Sequence, residues 1–417
     1  MKVSHLANTL IGSEIIKIGN EVNDMKRKGA QIANLTIGDF DSSIFPIPSE
    51  LEAQIVKAYQ EGHTNYPPAD GILPLRETIV EVLKDRFDLS YNTSEILVAG
   101  GSRPLIYALY LSLINPGDKV VYPAPSWNNN HYCHLTSAQG ICVETTAESN
   151  FLPDASQLQA QLKGATLLAL CSPLNPTGTM FSESQLTEIC DLVIEENKSR
   201  GADEKPLYIM YDQIYSLLTF GKEHVNPVKL RPELKDYVVY IDGISKCLAA
   251  TGVRVGWAFG PDTIINKMKA ILGHIGAWAP KAEQVATASF FAKKVQVDTY
   301  LNTFKTKIQT SLEALFQGFQ QLKAQGFEVD AISPMGAIYL TLKINYLGKQ
   351  TPEGEVLKTS ADVNFYLIRE AQVALVPFSA FGNQDDMPWF RASVGGCSLT
   401  DIESMIPRIA NALAKLK

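Results

Sequence analysis

The sequence has little of what would mark a membrane, secreted or nucleic-acid-binding protein. No apolar run in its 417 residues is long enough to cross a bilayer. The opening stretch MKVSHLANTLIGSEII has no cationic start, apolar core or small-residue cleavage site of a secretory signal. Basic residues form no cluster, and 37 lysines and arginines against 44 aspartates and glutamates leave a formal charge of −7. That balance argues against nucleic acid as a partner. The six cysteines (Cys133, Cys142, Cys171, Cys190, Cys247, Cys397) make no CxxC pair. A chain this long needs no disulfide staples, so reduced thiols and a cytoplasmic location are expected. Histidine is equally scarce. His131 and His134 stand close together, but no further ligand falls at a recognised spacing, and no metal is expected. Internal repeats and low-complexity tracts are also missing.

What is present is a globular composition, 46% hydrophobic, enough for two or more domains or one large domain with a satellite. Short apolar runs alternate with helical patterns. EILVAGG, KVVYP, ATLLALCSP, PLYIMYD and YVVYIDG read as strands; SRPLIYALYLSLI and SESQLTEICDLVIEENKSRG read as helices. Continuous apolar strands alternating with helices predict a mainly parallel sheet covered on both faces, with ligands at the carboxyl ends of its strands. From about Phe290 a long helical stretch leads into GAIYLTLKI, VALVPFSAFG and WFRASVG, the pattern of a smaller α+β domain. The helical pattern GSEIIKIGNEVNDMKRKGAQ near the start is expected to pack with that C-terminal part. The expected division is residues 1–48 as an N-terminal part of the small domain, 49–290 as the large domain and 291–417 as the C-terminal small domain.

The strand ends carry unusual residues. VAGGSRP opens a helix with free N–H groups and the positive end of its dipole, which suits a phosphate, although an ordinary serine cap reads the same way. Asn175 lies in the stiff turn SPLNPTG. Asp212 ends the strand of YDQIY, with Tyr215 three residues on, and a carboxylate there costs free energy unless a cation or donor meets it. Lys246 follows in GISKC, and Arg254 is placed on VRVGWAFG, a strand too apolar for a solvent-facing arginine. An anion nest, a lysine, an arginine, an aspartate, a tyrosine and an asparagine are together what an aromatic aldehyde phosphate requires. The amine forms a Schiff base, the arginine forks onto the phosphate, and the carboxylate keeps a pyridine nitrogen protonated.

These motifs resemble the class I and II aminotransferases, pyridoxal 5′-phosphate enzymes of fold type I of the aspartate aminotransferase kind. The likeness runs over nearly the whole chain, through LTIGDFD, NYPPADGILPLRETI, LNPTG, YDQIY, SKCLAATGVRVGWAFGP, GAIYL and FRASVG. It implies a large domain with a mainly parallel seven-stranded sheet plus a smaller α+β domain. It implies that Lys246 forms the Schiff base and shuttles the proton, that Asp212 pairs with the ring nitrogen, and that Asn175 and Tyr215 meet the 3-hydroxyl oxygen. Ser102, Arg103, Ser245 and Arg254 would hold the phosphate, and Trp127 would stack on the ring. Tyr66 would reach the phosphate of a neighbouring subunit, which implies a homodimer with shared sites. Arg391 would clamp the substrate's α-carboxylate, with Gly38 closing over it.

The chain departs from its relatives in places. Gln213 stands where many have glutamate, outside the core roles, and GDFDSSIFPIPSE is longer than usual near the substrate entrance. No arginine lies between Arg254 and Arg369, so one known solution for a distal carboxylate is missing. Arg103 falls where another subgroup has a lysine for that purpose; a surface or phosphate-side place is the other reading. Trp278 lines either the pocket or the core. The expected activity is transfer of an amino group between an L-amino acid and a 2-oxo acid, of aspartate or glutamate type. A β-eliminating lyase on the same scaffold is the alternative. A cofactor-sensing regulator is the less expected third reading, since such proteins usually carry an N-terminal DNA-binding domain and none is read before LTIGD.

Overall fold

The computed structural model describes residues 3–10, 12 and 14–417; Ser13 of the N-terminal helical pattern lies outside them. Near the start a helix spans Glu14–Arg27, followed by the short strand β1 (Ala33–Asn34). The strands of the largest sheet then come in turn: β2 (Ile96–Ala99), β3 (Lys119–Ala124), β4 (Gln139–Glu144), β5 (Ala165–Cys171), β6 (Tyr208–Asp212), β7 (Val238–Gly243) and β8 (Gly256–Phe259). The C-terminal part adds β9 (Val329–Ala331), β10 (Tyr339–Ile344), β11 (Val373–Ala374), β12 (Val376–Pro377) and β13 (Trp389–Ser393).

The seven-stranded sheet has the order β2-β8-β7-β6-β5-β3-β4. Only β8 runs antiparallel to its neighbours, β2 and β7; the other pairs are parallel. The central strands are apolar because helices cover both faces. On one face Leu105 and Ile106 of the helix Ser102–Leu113, with Ile264 and Met268 of the helix Asp262–Ile275, pack on Leu167, Val239 and Ile241. On the other, Ile79, Leu186, Ile189 and Phe290 pack on Leu168, Ile209 and Tyr240. The helix after β5 starts where its sequence says it should. Ser182 accepts from the Gln185 N–H while the Gln185 side chain accepts from the Ser182 N–H, a reciprocal cap.

The C-terminal sheet has the order β12-β13-β10-β9 and is antiparallel throughout. The long helix Lys294–Ala324 and the helix Leu399–Leu413 pack beside it through Leu312, Leu315, Ile402 and Met405. The N-terminal segment joins this part of the molecule. β1 pairs in parallel with β11, and Ile18, Val22 and Ile32 bury against Ile368 and Ala374. No helix among the described residues is long and apolar enough to cross a membrane.

Candidate active site

The parallel strands bring their carboxyl ends to one edge, and a cavity of about 650 Å³ opens there. β2 ends at Ala99; Gly100 and Gly101 follow, and the helix starts at Ser102. Gly101 has φ +96°, and a Cβ on it would collide with the Arg254 guanidinium. Only glycine therefore lets the helix start and the arginine share this corner. Asp212 is the last residue of β6, and its Oδ1 accepts from the Ile214 N–H at 3.1 Å. β7 runs into a single helical turn, Ile244–Cys247, that carries Ser245 and Lys246.

Arg254 departs from the expectation. It lies in the turn before β8, not on the strand, with φ +62° in the left-handed region. That conformation is costly for a residue with a side chain. Two hydrogen bonds hold it there: Nη1 donates to Thr251 O and Nη2 to Gly100 O, both at 2.7 Å. The guanidinium thus faces the glycine nest with donors to spare.

The opposite wall comes from distant parts of the chain. Arg391 on β13 is 1% exposed. Its Nη1 donates to Asn175 Oδ1 at 3.1 Å, and Nη2 donates to the Thr36 carbonyl. Its Nε has no partner. The guanidinium lies over the rings of Tyr339 and Phe381, at 4.7 and 5.0 Å. Tyr339 was not singled out in the sequence, although GAIYL contains it. Its hydroxyl is 2.6 Å from that of Tyr215, and a Cβ on Gly38 would collide with it.

Lys246 donates to the Gly38 carbonyl. Burial pushes its amine down from the ordinary 10.5 to about 8; Asp39 opposes the shift, and Arg391, Arg103 and Arg254 add to it. A fraction of the amine is then neutral, and nucleophilic, near neutral pH. Burial pushes the Asp212 carboxyl up to about 6, against the Ile214 hydrogen bond and the Lys246 charge. A cation brought to its oxygens would reverse that shift. Arg103 lines the cavity with its guanidinium 4.5 Å over the Trp127 ring.

The cavity thus gathers Gly38, Ser102, Arg103, Trp127, Asn175 and Asp212, together with Tyr215, Ser245, Lys246, Arg254 and Arg391. It does not gather Tyr66, which is 81% exposed and packs edge-on against Trp278 at 5.2 Å. Trp278 does not line the cavity either. Sequence reasoning passed over Asp39, whose Oδ1 accepts from Thr251 Oγ1 at 2.6 Å at the cavity wall. His134 Nε2 lies 3.1 Å from Thr9 Oγ1, and the described residues contain no cluster of three or more possible metal ligands. A phosphorylated pyridine aldehyde fits this donor set. The glycine nest and Arg254 match its phosphate, the buried carboxyl its ring nitrogen, and the lysine its aldehyde.

Comparison with known proteins agrees. Residues 30–409 match the family Aminotransferase class I and II. An aspartate aminotransferase of Rhizobium meliloti (strain 1021) is 28% identical over 97% of this chain and 94% of its own. The bifunctional aspartate aminotransferase and glutamate/aspartate-prephenate aminotransferase of Petunia hybrida is 28% identical over 100% of this chain and 84% of its own. The crystal structure of the aspartate aminotransferase from Rhizobium meliloti superposes with a TM-score of 0.90 at 27% identity, covering 100% of both chains. That of Thermus thermophilus with maleate, at 23% identity and TM-score 0.87, covers 99% of this chain and 100% of its own and shares the fold. The chain belongs to the class I and II aminotransferases, the pyridoxal 5′-phosphate enzymes of fold type I, and is an aminotransferase.

Proposed function

We propose that Lys246 is the cofactor-bearing lysine and that the enzyme exchanges amino groups between aspartate or glutamate and a 2-oxo acid. The observation that carries the reading is the Lys246 amine, lowered to about 8, in one cavity with the Asp212 carboxyl and the buried Arg391 guanidinium. When bound, the cofactor supplies an aldehyde that takes the amino group and a ring that holds the electron pair left at the substrate's Cα.

The chain's own residues do the rest. The Lys246 amine, free as a base, takes the Cα proton and returns it. The Asp212 carboxylate would keep a proton on the ring nitrogen. Tyr215 and the Asn175 amide would meet the ring's hydroxyl oxygen. Ser245, Arg254 and the N–H groups at Ser102 and Arg103 would hold the phosphate. The unpartnered Nε of Arg391 is a donor left for an α-carboxylate. Arg103 has no carboxylate partner among the described residues, and stacking on Trp127 fixes it at the cavity wall. This favours a distal substrate carboxylate, as do the names of the relatives. Exposed Tyr66 supports a homodimer with shared sites, and the pairing of β1 with β11 supports placing residues 1–48 with residues 291–417, apart from the large domain 49–290. Mixed Lys246→Ala and Tyr66→Ala chains are expected to recover part of the activity, and none if sites are not shared.

Borohydride reduction of the loaded enzyme followed by peptide mapping tests the central assignment. The label is expected on Lys246; a label on another lysine overturns the reading.

A further inference from the structure

Beside the ends of the strands that lead to Asp212 and Lys246 lies a buried polar cluster to which none of the roles above gives a task. Side chains alternate across a strand, so Gln213 leaves the cavity that Asp212 lines. Gln213 is 0% exposed, and its Nε2 donates to Asp242 Oδ2 at 2.8 Å. Asp242 is itself 5% exposed. It also accepts from the Gly243 N–H at 2.7 Å and, more weakly, from Ser216 Oγ at 3.4 Å. On the far side, Gln213 Oε1 meets His224 Nε2 at 3.4 Å. The His224 Nδ1 is buried without a partner. No lysine or arginine pairs with Asp242 among the described residues; the charged group that bears on it is Asp212.

A buried carboxyl without a cation is expensive to keep. This one joins two turns with different cargo. Gln213 and Ser216 flank Tyr215 in the turn that follows Asp212, and Asp242 and Gly243 lead directly into Ser245 and Lys246. The strand ladder between the turns stops at Asp212 and Ile241, with one more bond from the Gln213 N–H to Ile241 O. Beyond that point the ties are side-chain bonds to Asp242, the shorter from Gln213 and the longer from Ser216.

We propose that Gln213 and Asp242 form a pin between the two turns, which makes Gln213 a positioning residue that sets Asp212 and Tyr215 against Lys246. The inference rests on the reading of those residues as the cofactor's holders. The pin needs one donor facing one acceptor, and the glutamine meets that need. A glutamate at this position would face Asp242 with a second carboxyl, and the two would have to share a proton. The same geometry predicts that the pair can be swapped. A glutamate at 213 works when the residue at 242 is an amide.

The test compares the loaded wild-type enzyme with Gln213→Met, Gln213→Glu, Asp242→Asn and the double variant Gln213→Glu/Asp242→Asn. The readouts are kcat, the KM of the amino donor and the pH midpoint of the bound cofactor's visible absorbance. Asp242→Asn and the double variant keep a donor opposite an acceptor, so kcat should stay within about threefold of wild type. Gln213→Met deletes the bond and Gln213→Glu makes it depend on a proton shared between two buried carboxyls, so both should lower kcat about tenfold or more, with KM changed less than about twofold. Their absorbance midpoint should move by roughly half a pH unit or more. Wild-type kcat and midpoint in the two broken variants overturn the pin; so does equal damage in the variants that keep the bond. If Gln213→Glu fails to fold, recovery of fold and midpoint on adding Asp242→Asn supports the pin, and no recovery overturns it. Borohydride labelling of the wild type tests the reading of Lys246 separately, so the two failures are distinguishable.

Discussion

On the sheet side of the cavity, Asp212 ends one of two paired strands, and Tyr215, Ser245 and Lys246 hang from the turns that follow them. On the C-terminal side, Arg391 stands on a strand of another sheet and is met by Thr36, Asn175 and Tyr339 from three distant parts of the chain. The first wall inherits its geometry from a ladder, Tyr211 opposite Tyr240 and Asp212 opposite Ile241. The second is held by side chains whose partners lie 216 and 355 residues away. Damage to the sheet wall should therefore remove chemistry and leave substrate binding. Damage to the C-terminal wall should loosen binding and leave the cofactor in place.

Asp212→Asn gives the sharpest break in that contrast. Native Asp212 titrates at about 6, above its ordinary 3.8. Between those values the folded chain binds the proton more readily than the unfolded chain. Stability therefore falls as pH rises through the window, and the full cost remains above it. Removing the charge should raise the stability of the cofactor-free chain at pH 8, by on the order of 2–3 kcal/mol. In the loaded enzyme, on the proposed assignment, the same change would leave the ring-nitrogen proton without its counter-charge. Breaking such a pair costs about 3–5 kcal/mol, roughly 100- to several-thousand-fold in turnover. Melting curves with and without cofactor, read beside single-turnover rates, check both halves. A cofactor-free variant that melts lower, or a loaded one with near-normal rates, sinks the assignment.

On the other wall, Arg391→Ala should lower kcat/KM for every amino donor by about 30- to 1000-fold, the loss of roughly 2–4 kcal/mol from a charge-assisted pair in a closed site. The cofactor should stay bound, and the pH midpoint of its absorbance should move upward, because Arg391 helps to lower the Lys246 amine. Arg103→Ala should be selective, with a loss of similar or smaller size for aspartate and glutamate and little change for alanine, leucine and phenylalanine. Equal loss for all donors would assign Arg103 to the phosphate, and no loss for any would leave the dicarboxylate preference without a residue.

The same contrast decides what could be read without coordinates. The sheet wall was legible because a buried apolar strand that stops at Asp212, or at a lysine one turn further on, breaks its own pattern. Arg254 was placed on a strand because VRVGWAFG reads as one apolar run with the arginine inside it. The structure starts β8 two residues later, since the guanidinium must turn back to Gly100 and Thr251. β4 went unread because its edge position leaves most of QGICVE exposed, with no continuous apolar run. Trp278 was left open between pocket and core, and the structure sets it against Tyr66, outside the cavity lining. Gln213 looked inconsequential because its partner, Asp242, is 29 residues away. Tyr339 looked like any strand aromatic. Its task arises through contact with a residue 124 positions earlier, and no local pattern records such a contact.

Tyr339 is also where the two walls touch, and it carries the smallest expected effect. Its hydroxyl meets that of Tyr215 at 2.6 Å, while its ring lies under Arg391. Tyr339→Phe keeps the ring, and so keeps the support of the arginine. It deletes one buried hydrogen bond, worth about 1 kcal/mol, or roughly fivefold. If the walls communicate through that bond, the loss should appear in kcat, on the side of Tyr215, and not in the KM of the amino donor. A double-mutant cycle with Tyr215→Phe separates the routes. With Tyr215 already lacking its hydroxyl, Tyr339→Phe should cost nothing more in turnover. Strict additivity of the two changes, or a rise in KM for all donors after Tyr339→Phe alone, would show that the tyrosine serves Arg391 and belongs wholly to the C-terminal wall.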